Sequence, residues 1–361
     1  MKQFADVYRG KRVLVTGHTG FKGSWLSLWL NQLGAEVVGI SLAPESQPNH
    51  WHLLGLESTV QYHELDIRQA TEVASVLKAT QPEMVFHLAA QPLVRRSYRN
   101  PLETWSTNVM GTASVMEACR QIRSVRAILA VTTDKCYENQ EWAWGYRETD
   151  RLGGHDPYSA SKAGSELVAA SYRSAFFDAE DSPLLATARA GNVIGGGDWS
   201  EDRLIPDLVR AMAAQQSLEI RSPNATRPWQ HVLESLSGYL RLGQKLIEGD
   251  KNYEGAWNFG PERSGNRTVS DVLNGLQTHW PEMEWHQTMA PQPHEANLLY
   301  LDSAKAHNQL GWQPVWNLAT TLEKTADWYR AFQNSQTTIS TQQLAQYVEA
   351  ARGAQVAWAT A

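Results

Sequence analysis

Short apolar runs alternate with longer amphipathic stretches through the first half of the chain. Lys11–Thr16 (KRVLVT) reads as a buried strand, and Gly23–Leu33 as the helix that follows it. Glu36–Ile40 is a second strand and Tyr62–Ile67 a third. Met84–Ala90 is a fourth, preceded by a helix over Glu72–Ala79. Arg126–Thr133 is a fifth, after a helix over Thr107–Arg123. Leu184–Ala190 is a sixth, after a helix that begins near Tyr158. Strand, helix and strand at this spacing predict an α/β fold, a doubly wound parallel sheet covered on both faces. Ligands of such sheets lie beyond the carboxyl ends of the strands.

The regularity weakens near residue 190. Gly195–Gly197 and prolines at 223, 228, 261, 291 and 293 point to a smaller, looser C-terminal α/β lobe. The expected division is a sheet domain over 1–187, a lobe mainly over 188–330, and a peripheral tail over 331–361. Residues near 228–260 are expected to return to the first domain. The tail is rich in Gln, Thr and Ala, and reads as one peripheral helix around Thr341–Arg352 with frayed ends and no chemistry. No repeat of fixed period is visible.

Composition narrows the function classes. Hydrophobic residues make up 42% of the 361 and charged residues 19%, as in an ordinary globular chain. A formal net charge of -6 argues against nucleic acid or an anionic membrane as partner. A phosphorylated ligand must then be held by local features. The two cysteines, Cys119 and Cys136, make no disulfide framework, and no His, Cys or carboxylate cluster has metal-ligand spacing, so no metal is expected. The charged first ten residues carry no signal-peptide core, and Trp25–Leu30 is too short to span a bilayer. A cytoplasmic protein is the expectation. Among fifteen tryptophans, Trp142, Trp144, Trp199 and Trp229 sit in polar contexts that suit a sugar or base platform, with core packing as the default.

Two motifs carry chemistry. The first strand runs into Gly17-His18-Thr19-Gly20-Phe21-Lys22-Gly23, and three glycines spaced by three allow a tight turn and close approach to a pyrophosphate. Backbone N–H groups at the helix start then hold phosphate without many cations. The second motif is Tyr158-Ser159-Ala160-Ser161-Lys162, where tyrosine and lysine four apart share one helix face. A tyrosine phenol ordinarily titrates near pH ~10, and a neighbouring ammonium lowers it toward the range of a useful base. Thr133, ending the fifth strand, is placed to hydrogen-bond a reacting hydroxyl or ketone. Asp134 and Lys135 follow at once, and suit either a surface ion pair or the acid and base of an elimination.

The Gly-x-x-Gly-x-x-Gly spacing with Tyr-x-x-x-Lys resembles the short-chain dehydrogenase/reductase superfamily, its extended branch, with a Rossmann-type sheet. Thr-Asp-Lys-Cys-Tyr-Glu-Asn at 133–139 resembles the CDP-glucose branch of the sugar-nucleotide 4,6-dehydratases, where the wider group carries Thr-Asp-Glu. So do Gly-His-Thr-Gly-Phe-Lys-Gly-Ser-Trp at 17–25, Ala-Ala-Gln-Pro-Leu-Val-Arg-Arg-Ser-Tyr at 89–98, Ala-Gly-Asn-Val-Ile-Gly-Gly-Gly-Asp-Trp at 190–199 and Arg-Pro-Trp-Gln-His-Val at 227–232. The resemblance implies NAD as cofactor and CDP-glucose as substrate. It implies catalysis by Thr133, Asp134, Lys135, Tyr158 and Lys162. Cofactor contacts are implied at Gly17, Thr19, Gly20, Phe21, Lys22, Gly23, Asp66, Ile67, Leu88, Ala89, Ala90, Tyr158 and Lys162, with Asp66 equally readable as a turn or cap residue. Substrate contacts are implied at Gln91, Asn192, Arg203, Arg221, Arg227, His231 and Glu295. From the residues alone, Arg227 reads as a solvated surface charge and His231 as a satisfied core histidine. The cycle implied is oxidation at carbon 4, loss of water across carbons 5 and 6, and hydride return to carbon 6. A sugar-nucleotide 4-epimerase or reductase, or an NAD(P)-sensing protein without chemistry, are the alternatives. The helices at 107–123 and 158–177, with Leu167, Val168, Phe176 and Phe177, resemble those that pair in a four-helix bundle, so a dimer or tetramer is expected.

Overall fold

A computed structural model describes residues 2–288 and 298–360. Its centre is one parallel sheet of seven strands: β1 (Arg12–Thr16), β2 (Glu36–Ser41), β3 (Gln61–Glu64), β4 (Met84–His87), β5 (Ala127–Val131), β6 (Leu184–Ala190) and β7 (Gly255–Phe259). The order across the sheet is β7-β6-β5-β4-β1-β2-β3, every neighbour parallel. Order reverses between β1 and β4, so the connections after those strands diverge and open a crevice above them. β4, β5 and β6 are buried along their whole length, which is why they read as continuous apolar runs. β3 at the edge is shorter than the expected 62–67, and residues 65–69 form a turn closed by the Asp66 carbonyl.

Four helices matter for the site: α1 (Phe21–Gln32), α2 (Ala70–Thr80), α3 (Gly111–Arg120) and α4 (Pro157–Phe176). Pro157 at the first turn and the Asp156 side chain, accepting from Ser159 N–H, start α4 just before Tyr158. The expected single helix over 107–123 is instead broken. A helix over Pro101–Trp105 passes through a π turn at Ser106–Met110 before α3 begins. The wider turn brings the Asn108 side chain inward, where its amide donates to Gln91 O and Ser161 Oγ and its oxygen accepts from Gln91 N–H.

The smaller lobe is made of two-stranded pieces: Val193–Ile194 with Gln230–His231, Thr226–Pro228 with Asn266–Thr268, and Leu218–Ile220 with Trp285–Gln287. Between them α5 (Val232–Ile247) packs back against β5 and β6, and β7 then joins the main sheet.

The helix expected around Thr341–Arg352 is present, but the tail is packed into the core and not frayed. α6 (Leu318–Ser335) and α7 (Ser340–Gly353) are followed by a short turn of helix over Ala357–Thr360. Leu344, Tyr347, Val348 and Ala351 are buried, and so is Trp358. They recur at helical spacing, but Gln, Thr and Ala between them dilute the signal that average composition reports. Phe4 stacks on Trp358 with centroids 5.0 Å apart, so the two ends of the chain share one core cluster. Of the suspected platforms, Trp229 is buried and Trp144 exposed. Phe177 and Val168 are used within the chain, whereas Leu167 and Phe176 face outward. No helix among the described residues is long and apolar enough to cross a membrane.

Candidate active site

Above the carboxyl ends of β1, β4, β5 and β6 lies one cavity of about 1850 Å³. That exceeds the ~300–1,000 Å³ of a single small-molecule site and suits two ligands side by side.

Its floor on one side is the glycine loop. Gly17 adopts φ +75°, and a Cβ there would lie 2.8 Å from Ala89 N. At Gly23 a Cβ would meet Gly17 O at 2.0 Å, so only glycine lets α1 pack on the turn. Gly20 caps α1 in extended conformation, and the helix therefore begins at Phe21, two residues before the expected start. Thr19 hydrogen-bonds Ser41 Oγ at 2.7 Å and donates to Leu42 O, tying the loop to the end of β2. Gly17, Thr19, Gly20, Phe21, Lys22, Gly23, Asp66, Ile67, Leu88, Ala89 and Ala90 all line the cavity. Asp66 is bound by Arg68 through paired contacts of 2.8 and 3.0 Å, which holds its carboxyl below the usual range. Bare backbone at a helix N-terminus, glycines that a Cβ would clog and a long crevice at the switch point fit a dinucleotide.

Lys22 donates to the Tyr239 hydroxyl at 3.1 Å, beneath the cavity. Desolvation, helped by Arg203 and Lys162 nearby, brings its ammonium down to about 7.

Tyr158, Lys162 and Thr133 meet at the centre of the cavity wall. Thr133 lies within hydrogen-bonding reach of the Tyr158 hydroxyl. The expected lowering of the Tyr158 phenol is not what the environment produces. Burial pushes it up to about 12, and the Thr133 hydrogen bond and the Arg203 charge pull the other way without winning. The Lys162 ammonium instead donates to Val131 O at 3.1 Å, and burial brings it down to about 8. Asp134 is fully buried behind Thr133, whose hydroxyl donates to its Oδ1 at 3.1 Å. It does not line the cavity, but Gly191 does, and a Cβ on Gly191 would sit 2.9 Å from Asp134 Oδ2. Gly191 thus stands between that oxygen and the cavity with no side chain of its own. Lys135 lines the cavity with its Nζ 3.9 Å from Asp134 Oδ1.

On the opposite side stand Asn192, Arg203, Arg221 and Arg227. Arg203 faces Asp198 at 3.5 Å, and these cations supply the local charge that the acidic chain as a whole withholds. The expected substrate contact at His231 is not in place. His231 is fully buried outside the cavity, where its Nδ1 accepts from Leu233 N–H at the start of α5 and its ring packs edge-on against Trp316. Burial takes its imidazole down to about 3, so it stays neutral. Gln91 lines the cavity, but its side chain is spent on its own loop, donating to Leu93 O and Thr104 Oγ1 and accepting from Leu93 N–H. Glu295 lies outside the described residues. Among the described residues no group of three His, Cys, Asp or Glu could hold a metal.

Sequence reasoning missed a salt-bridged edge and a buried pair. Arg96 grips Glu45 through two bonds of 2.8 and 2.7 Å and reaches Glu201, while Arg95 pairs with Asp202 at 2.9 Å, so one short helix joins loops on both sides of the cavity. Glu166 and Arg189 pair beneath the reacting centre at 2.8 Å. Glu166 follows Lys162 by four, a spacing that could have drawn notice.

Comparison with known proteins adds four likenesses. The family model described as GDP-mannose 4,6 dehydratase matches residues 14–325. A CDP-glucose 4,6-dehydratase of Salmonella typhimurium is 48% identical over 333 residues, covering 91% of this chain and 92% of that protein. Among solved structures, an epimerase of Methanothermobacter thermautotrophicus has a TM-score of 0.78 at 22% identity, covering 92% of this chain and 95% of its own. A dTDP-glucose 4,6-dehydratase of Streptomyces venezuelae with NAD and TYD bound has a TM-score of 0.76 at 23% identity, covering 90% and 98%. At these identities the solved structures bear on the fold.

Proposed function

The chain belongs to the GDP-mannose 4,6 dehydratase family and is an NAD-dependent sugar-nucleotide 4,6-dehydratase, and we propose that its substrate is CDP-glucose, converted to CDP-4-keto-6-deoxyglucose and water. The observation that carries the reading is the meeting of Thr133, Tyr158 and Lys162 in one cavity wall with the Asp134–Lys135 pair immediately beside them. Epimerisation needs no acid for a leaving hydroxyl, and a sensor needs no base at all. The 48% identity to a CDP-glucose enzyme over nearly the whole chain supports the choice of base.

Bound NAD supplies a hydride acceptor at carbon 4 that is regenerated when hydride is returned to carbon 6. Its fit rests on the glycine loop, with Lys162 as the group that would hold the nicotinamide ribose. Tyr158 takes the proton of the carbon 4 hydroxyl, and Thr133 steadies that oxygen. The ketone so formed acidifies the proton on carbon 5, which Lys135 removes and gives back to carbon 5 when hydride reaches carbon 6. Asp134 gives a proton to the hydroxyl leaving carbon 6, past Gly191, and water departs. Asn192 and the arginines at 203, 221 and 227 receive the diphosphate and nucleotide.

We further propose that the enzyme works in the cytoplasm as a homo-oligomer. Leu102, Trp105 and Met110 on one helical stretch, with Leu167 and Phe176 on α4, expose the apolar surface that pairing of these helices would cover.

Incubation with CDP-glucose or dTDP-glucose and catalytic NAD, read by mass spectrometry, tests the reading. Loss of one water from CDP-glucose alone, without accumulating NADH, is the expected result. Water loss from dTDP-glucose instead would overturn the substrate and keep the reaction, and no loss from either would return the epimerase or sensor.

A further inference from the structure

Beneath the reacting centre, and outside every role assigned so far, a charged pair is buried with all its hydrogen bonds made. Glu166 lies on α4 one turn past Lys162 and two past Tyr158, on the same face. Its Oε1 accepts from Thr132 Oγ1 at 2.5 Å and from Arg189 Nε at 2.9 Å. Its Oε2 accepts from Thr187 Oγ1 and Arg189 Nη2, both at 2.8 Å. Arg189, on β6, spends its remaining nitrogen on Tyr137 Oη at 2.8 Å and Glu148 O at 3.1 Å, with its guanidinium 4.9 Å from the Tyr137 ring. The Tyr137 hydroxyl in turn donates to Asn258 Oδ1 on β7 at 2.8 Å.

Such a pair is poor value as a stabiliser, because apolar side chains of like volume serve a core as well or better. What it does is geometric. α4 grips the end of β5 at two successive residues, Val131 through Lys162 and Thr132 through Glu166, and the next residue is Thr133. The same guanidinium carries residues 137–148, which begin the cavity wall beyond Lys135.

We propose that Glu166 and Arg189 are positioning residues, which hold the Tyr158 and Lys162 face of α4 against the end of β5 and so set it against Thr133. The proposal rests on the dehydratase reading above. Four titratable groups bear on the Lys162 ammonium: Glu166 on its own helix, Cys136 after β5, His87 on β4 and Lys22 on α1. Burial holds Cys136 as a thiol and takes His87 down to about 3, so neither is charged near neutrality. Lys22 repels the ammonium. Glu166 is therefore the anion that opposes the desolvation of Lys162.

The test is Glu166→Gln in the full chain, with folding checked by circular dichroism. Two profiles are read against pH: kcat with CDP-glucose and, independently of turnover, NAD affinity by calorimetry. The expected result is a kcat about 100-fold lower with a smaller change in KM, and alkaline limbs of both profiles displaced about one unit toward acid. Thr187→Val removes one hydrogen bond from the same carboxylate and keeps the charge, so its limbs should stay in place. If Glu166→Gln does not fold, Glu166→Gln with Arg189→Met removes anion and cation together. It should still lower kcat by about 10-fold or more, with a smaller displacement of the limbs because the guanidinium leaves with the carboxylate, and an unchanged kcat would overturn the proposal. A folded Glu166→Gln variant with unmoved limbs, or a Thr187→Val limb that moves as far, would overturn it too. A wild-type chain that binds NAD but dehydrates no sugar nucleotide would overturn the reading of function instead, and the calorimetric limb would still decide this one.

Discussion

At Tyr158, burial and catalysis pull in opposite directions. Its phenol is pushed up to about 12 by desolvation, so the free site holds a proton donor where the reaction calls for a base. Thr133 and Arg203 lower it in part, and the positive ring of bound NAD adds to them. Tyr158→Phe keeps the packing and removes the proton acceptor. It should lower kcat by about 10²–10⁴-fold while NAD binding measured by calorimetry persists. Residue positions were legible where spacing alone decides them: Gly17, Gly20 and Gly23 in the turn, Tyr158 and Lys162 on one face, Thr133 at a strand end. They were illegible where a neighbour distant in sequence decides. His231 was expected in the cavity, but the Trp25 and Trp316 rings and the start of α5 enclose it. Gln91 has the right chemistry for a sugar hydroxyl, yet Leu93 and Thr104 use its amide first.

Elements show the same division. β1, β4, β5 and β6 were legible because parallel strands buried on both faces are continuous apolar runs, whereas the exposed edge strand β3 was read too long. The break at Ser106–Met110 was not legible, since a π turn leaves apolar periodicity nearly intact. Nor was the anchoring of the tail, to which one distant carboxylate contributes. Glu234, in the first turn of α5, accepts from Trp316 N–H at 2.7 Å, Val315 N–H at 3.0 Å and the Tyr347 hydroxyl at 2.7 Å. No cation pairs with it among the described residues, and burial raises its carboxyl to about 7 from a reference of 4.5. A folded-state value above the unfolded one means that folding takes up a proton. The stability so gained is full below pH 4.5 and is lost as pH rises through about 7. Glu234→Gln should remove that slope. Denaturant midpoints of the two proteins, compared at pH 5 and pH 8, should diverge in favour of the variant at the higher pH, by up to about 3 kcal/mol. Equal divergence at both pH values would show that the carboxylate carries no such linkage.

For the molecule as a whole, the tail is part of the core. Trp358 packs on Phe4, Trp29 and Tyr347, with centroids 5.0, 5.6 and 6.0 Å away. Trp358→Ala leaves a cavity at that junction and should cost about 3–5 kcal/mol in denaturant unfolding, although the residue lies outside the catalytic cavity. A loss under 1 kcal/mol would mean that the tail is dispensable. The stacking of Phe4 on Trp358 also has a temporal side. On the ribosome, the segment around Phe4 is made long before its ring partner. The layer beneath β1 and α1 thus waits, while all that lies between is made, for the indole that completes it, and a chain cut short between α7 and Trp358 would hold every catalytic residue with that layer still unsealed.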